Sequence, residues 1–177
     1  MAGPDPDRRV ELGSGTRAAV RARAADLRRI VREHDLGNYL LTATFFSEFA
    51  QRDRPAAERL ERMADAMERY RLSGTLLGRS ALLTHFARAC VEEGQPERGL
   101  AAVNAALAAS AHSGERWVDA ETWRTKADSL GMCRAGRRHG ERTRRAVAAC
   151  LHTALRIANA QGATALARRA EEAAAAL

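Results

Sequence analysis

A chain of 177 residues with 46 % hydrophobic and 29 % charged content has globular composition and the length of one ordinary domain. Aromatics at 5 % and abundant alanine leave little side-chain volume per position, which argues against one deep core and for thin, two-layer helix packing. The net charge of +7 is carried by arginine, Lys126 being the only lysine; it admits acidic partners, nucleic acid or an anionic membrane surface, while no apolar run approaches the roughly 20 residues of a membrane span.

Residues 1–15 hold Pro, Gly, Asp and Ser with little apolar content, and are expected to form a disordered tail ahead of a single repeat domain over 16–177. Gly13-Ser14-Gly15 lacks the spacing and the Lys-Ser/Thr of a phosphate loop. From Thr16 the helical period hardly stops. Val20, Ala24, Leu27 and Val31 form a first stripe. Leu40, Thr44, Phe45, Phe46 and Phe49 mark a second helix, and Leu60, Met63, Ala64, Met67 and Tyr70 a third. Leu76, Ser80, Leu83, Ala87 and Cys90 make the fourth, and Leu100, Val103, Ala106 and Leu107 the fifth. Trp117, Ala120, Trp123, Ala127 and Leu130 carry the sixth. Gly131 to Gly140 is an Arg- and Gly-rich break, expected to be open to trypsin because it has almost nothing apolar to bury. Val147, Cys150, Leu151, Ala154 and Ile157 make the seventh helix, and an Ala-rich eighth runs from about Thr164 to Ala176. Pro55 and Pro96 each precede an apolar run, where a missing N–H costs nothing, and so read as helix starts. About eight helices joined by short turns predict an all-α fold: an α-α superhelix of stacked antiparallel helical hairpins.

Within this pattern lies a repeat. Leu83, Ala87, Cys90, Gly94, Gly99, Val103 and Ala106 follow the tetratricopeptide order of small residues where two helices meet and larger ones between them. The physical need is close backbone approach, which residues 87, 99 and 106 permit. The same frame falls earlier on Ala43, Ser47, Ala50, Met63 and Ala66, and later on Trp123, Ala127, Leu130, Val147, Leu151 and Ala154. Ala66, Ala106 and Ala154 are 40 and 48 residues apart, longer than the ideal period of about 34, so longer helices and a lengthened last loop are expected.

The segments "REHDLGNYL", "ERYRLSGT", "CVEEGQPERGLAAVNAAL", "SGERWVDAETWRTKAD" and "ALRIANAQGATALARRA", between Glu33 and Ala170, carry a resemblance. They are similar to the helical-repeat region at the C-terminal end of large bacterial signalling ATPases. These are the adenylate/guanylate cyclase type and the LuxR-like and pathway-specific transcriptional activators. Gly114-Glu115-Arg116-Trp117, with Ala120, Glu121 and Arg124 following, is its most specific part. The resemblance implies an interaction or sensor region in signal transduction or transcription regulation. No P-loop, cyclase domain or helix-turn-helix lies in these residues, so the effector modules are expected on another polypeptide or the chain to act alone.

Chemistry is sparse. His34, His85, His112, His139 and His152 are scattered, without the convergent spacing a metal site needs, and no nucleophile motif is present. The expectation is a non-enzyme with no catalytic residue, metal or cofactor. Cys90, Cys133 and Cys150 lack CxxC spacing and are odd in number, and the polar start with Pro4, Asp5, Pro6 and Asp7 does not read as a leader; both fit a reduced cytoplasm. Arg116, Trp117, Glu121 and Arg124 are candidate partner-binding residues, with arginine able to stack on indole. The alternative is a hairpin junction in which Glu121 and Arg124 pair along the helix and both tryptophans are buried. Arg134, Arg137, Arg138 and Arg142 are candidate anion-binding residues, and Arg17, Arg21, Arg28 and Arg32 share one face of the first helix. Neither cluster carries aromatics that could stack on bases, and a solvated helix face and a flexible loop are the expected account of the two. The functional expectation is a protein-binding scaffold, of which the partner is another protein or peptide. The alternative is an anion- or nucleic-acid-binding regulatory module using the arginine clusters. A small-molecule pocket near Trp117 and Trp123 is a third reading.

Overall fold

A computed structural model describes residues 6–34, 36–51, 53–133 and 140–177, which hold eight helices and no strand. Of the span expected as a tail, residues 6–15 fall in the first helix and residues 1–5 lie outside the described residues. The helices group into two compact units, Met1–Thr75 and Leu76–Leu177.

The first unit contains α1 (Pro6–His34), α2 (Gly37–Ala50) and α3 (Ala56–Leu72), with α2 packed against both neighbours. Pro55 is the N-cap of α3. Ala24 and Val31 of α1 are buried, as are Ala43, Phe45 and Phe49 of α2 and Leu60, Met63, Ala66 and Tyr70 of α3. Phe45 and Phe46 meet edge to face at 5.3 Å between ring centres, the arrangement the ring quadrupoles favour.

The second unit contains α4 (Arg79–Glu92), α5 (Pro96–Ser113), α6 (Asp119–Met132), α7 (Glu141–Ala160) and α8 (Thr164–Ala175). Pro96 sits in the first turn of α5. Gly114 ends that helix at φ 78°, in left-handed backbone that a side chain disfavours. Helix α4 packs on α5 and α6, and α6 packs on α5, α7 and α8. Helices α4, α6 and α8 therefore lie in one row, with α5 and α7 behind it. The turns that lead into this row also lie side by side. The Gly78 N–H donates to the Glu115 carboxylate at 2.9 Å, and Gln161 Nε2 donates to the Arg116 carbonyl at 2.8 Å.

The close approach that residues 87, 99 and 106 predict is present. Ala87, Val103 and Ala106 are fully buried. A Cβ added at Gly99 would lie 3.1 Å from the Ala87 carbonyl oxygen and 3.3 Å from Ser129 Oγ, so α4, α5 and α6 converge too closely to take a side chain without a shift. Between α6 and α7, Ala127, Val147, Cys150 and Leu151 form one buried cluster, with Trp123 and Leu130 packed against it. Nearer the start of α6, Ala120, Ala158 and Ala167 form a second that reaches α8. Buried hydroxyls reinforce the row: Thr84 Oγ1 of α4 and Thr122 Oγ1 of α6 are hydrogen-bonded at 2.8 Å.

The burial expected for Trp117 is not found; its side chain is 60 % exposed. Helix α6 begins at Asp119 with Val118 as its N-cap, so Trp117 precedes the helical register and falls off the apolar face. Val118 and Ala120 take the buried places instead. Trp123, about one turn into α6, is partly buried, and the cation over its ring is Lys126, 5.0 Å from the centroid.

Candidate functional site

Helix α6 presents Glu121, Arg124 and Asp128 at three- and four-residue spacing, the separations that place side chains on one face. Arg124 forks onto Glu121, with Nε to Oε2 at 3.0 Å and Nη2 to Oε1 at 2.9 Å. Its Nη1 donates to Asp128 Oδ2 at 2.7 Å. From α8, Arg169 Nη2 donates to Glu121 Oε1 at 3.2 Å. From α4, Arg88 and His85 lie within the electrostatic reach of Glu121, and Arg88 also pairs with Glu92 at 3.0 Å. Ion pairs thus join α6 to α8, and Arg88 and His85 bring α4 close to the same carboxylate.

Its centre is shielded and its edges are not. The Arg124 and Glu121 side chains are only 13 % and 12 % exposed, against 38 % for Arg169. Burial opposes charge on Arg124, but the hydrogen bonds and the charge of Glu121 and Asp128 outweigh it and raise the guanidinium pKa. Burial likewise opposes ionisation of Glu121, yet the Arg124 hydrogen bonds, with Arg169 and Arg88, hold its carboxyl below the ordinary range. Asp128 goes the other way: burial and the neighbouring Glu121 carboxylate raise it against the pull of Arg124. For His85, burial and then Arg88 lower the imidazole pKa, and Glu121 only partly restores it. At neutral pH the row therefore displays a neutral histidine beside paired charges, an arrangement suited to hydrogen bonding. Among the described residues, no group of three or more His, Cys, Asp or Glu is placed to hold a metal ion.

Of the four residues singled out as partner-binding, the structure brings Glu121 and Arg124 together. Arg116 is held apart on Asp119, Nη1 to Oδ2 at 3.6 Å, and Asp119 in turn accepts from Ser110 Oγ at 2.5 Å. Trp117 stands exposed in the turn between α5 and α6. Of the anion-binding candidates, Arg134, Arg137 and Arg138 lie outside the described residues, and Arg142 is exposed in the first turn of α7. Asp128, Arg88 and Arg169 were missed by sequence reasoning. The first two have local signals, the four-residue spacings Arg124–Asp128 and Arg88–Glu92, whereas Arg169 joins from 48 residues away and has none.

No helix of the described residues is long and apolar enough to cross a membrane. Compared with known protein families, curated proteins and solved structures, the chain matches none.

Proposed function

We propose that this chain is a non-catalytic protein-binding scaffold of tetratricopeptide-like hairpins, and that the exposed face of α4, α6 and α8 receives a helix or peptide of another protein. The observation that carries the reading is the ion-paired network of Glu121, Arg124, Asp128 and Arg169 between α6 and α8, with Arg88 of α4 near it. Its buried centre is internally satisfied and ties α6 to α8, while the half-exposed Arg88, Arg169 and Asp128 offer polar anchor points around it. Stacked hairpins of this kind bury a continuous core between repeats and leave one helical layer for partners. The resemblance to the repeat regions of bacterial signalling ATPases supports a place in, or beside, a signalling or transcriptional regulator.

The test is affinity capture from cell extract with the wild-type chain and with an Arg88→Glu, Arg169→Glu double variant. A partner held by the wild type and lost by a variant of unchanged fold supports the reading; an identical set of captured proteins sinks it. Capture that collapses as salt is raised from about 50 to 200 mM would favour the anion- or nucleic-acid-binding alternative, because phosphate contacts weaken steeply with salt.

A further inference from the structure

The first unit carries a surface of a different kind. Between α1 and α2 runs a groove of about 550 Å³, lined by Arg21, Arg28, Arg29 and Arg32 of α1, by Ser47 of α2 and by Gln51 at its C-cap. Arg28 is anchored, its Nη2 donating to Ser47 Oγ at 3.1 Å, and Ser47 is itself tied back to the Ala43 carbonyl at 2.8 Å. Arg29 pairs with Glu33 at 3.0 Å. Arg21 and Arg32 are exposed and form no ion pair among the described residues. Four guanidinium groups thus face one carboxylate. From Arg21 to Arg32 the helix rises about 17 Å, the span of about five residues of extended peptide.

We infer that this groove binds an acidic segment of a partner protein, its Asp or Glu carboxylates held in the forks of Arg21, Arg28 and Arg32. Planar guanidinium groups match carboxylates two bonds at a time. Three features favour a peptide over a nucleic acid. None of the described residues lining the groove is aromatic, so bases have nothing to stack on. Glu33 repels a polyanion charged at every unit, whereas a peptide can place a neutral residue beside it. Gln51 supplies a neutral amide of the sort that hydrogen-bonds a peptide backbone. The inference concerns the unit Met1–Thr75 alone and does not depend on the face of α4, α6 and α8 being a docking site.

Fluorescence anisotropy of the full chain tests it, with a labelled octapeptide of alternating glutamate and serine and a labelled single-stranded octanucleotide as probes at about 50 mM salt. The wild type binds the peptide in preference to the oligonucleotide. Arg28→Gln with Arg32→Gln weakens peptide binding by about tenfold or more, and Arg32→Gln alone, on an exposed side chain, weakens it in the same direction. Glu33→Gln tightens it. An Arg156→Gln, Arg168→Gln control, which removes the same charge from exposed positions of the second unit, changes it by less than about twofold. No peptide binding, an equal loss in the control, or preference for the oligonucleotide would each overturn the assignment, the last in favour of a nucleic-acid groove.

Discussion

Arg169 of α8 donates to Glu121 of α6 at 3.2 Å across 48 residues of sequence, on the carboxylate that Arg124 already holds in a fork. Glu121 is therefore the point on which α8 and α6 share charge. Glu121→Gln leaves the shielded Arg124 guanidinium with Asp128 as its remaining anionic partner, and is expected to cost about 2 kcal/mol in urea unfolding. Arg169→Gln, at a more exposed position, should cost less than about 1 kcal/mol. Equal effects of the two would show that the Arg124 fork is not the core of the network.

The Gly99 crossing gives a paired test. Gly99→Ala places a methyl 3.1 Å from the Ala87 carbonyl and 3.2 Å from Val91 Cγ2. The carbonyl belongs to the backbone of α4 and cannot rotate away, so packing strain of about 1–3 kcal/mol should exceed the gain of about 1 kcal/mol in helix propensity. Gly131→Ala, in the last turn of α6 with open space around it, should instead stabilise by about 0.5–1 kcal/mol. Chemical denaturation of both variants reads the opposite signs directly.

Ala106, fully buried where α5 packs, leaves no room for a larger side chain. Ala106→Leu is expected to lower stability by about 1–3 kcal/mol. An unchanged thermal melt would mean that α5 is not held at this position.

The His85 imidazole pKa lies below its ordinary 6.5, through burial and then Arg88. The unfolded chain then binds a proton more readily than the folded one, and the stability this histidine contributes is present above pH 6.5 and lost as pH falls toward the folded pKa. Acidification from about pH 7.5 to 5.5 should lower the melting temperature, and His85→Gln should flatten that part of the curve. Glu121, depressed by Arg124, acts in a separate and more acidic window, losing its contribution as pH falls below the ordinary 4.5. A variant with the same slope as the wild type between pH 5.5 and 7.5 would remove His85 from the account.

The two indoles should separate in fluorescence. Trp117 is exposed, and Trp123 packs against the buried cluster of α6 and α7. Trp117→Phe should shift the emission to the blue and remove most of the quenching by iodide, while Trp123→Phe should do the reverse. Equal quenching of both single-tryptophan proteins would contradict the start of α6 at Asp119.

The sequence alone determined what depends on neighbours along the chain. Helix periodicity, the prolines at 55 and 96, and the glycines at 94 and 114 act within a turn or two, so eight helices were legible without coordinates. So was the close crossing at Ala87, Gly99 and Ala106, because small residues at helical spacing have a steric meaning wherever they occur. The pairing of Glu121 with Arg124 is likewise local. Only the tertiary structure decided that Arg169 completes that pair, that Arg21, Arg28 and Arg32 line a groove with Ser47 of the next helix and Gln51 at its end, and that the helices group at Thr75. Trp117 shows where the local reading gives out. Its place on an apolar stripe depended on where α6 begins, and that start follows from packing: Val118 and Ala120 are buried while Trp117 remains outside. Periodicity fixes which residues share a face, but which side chains meet across helices depends on distances between segments far apart in sequence, and no local spacing encodes those.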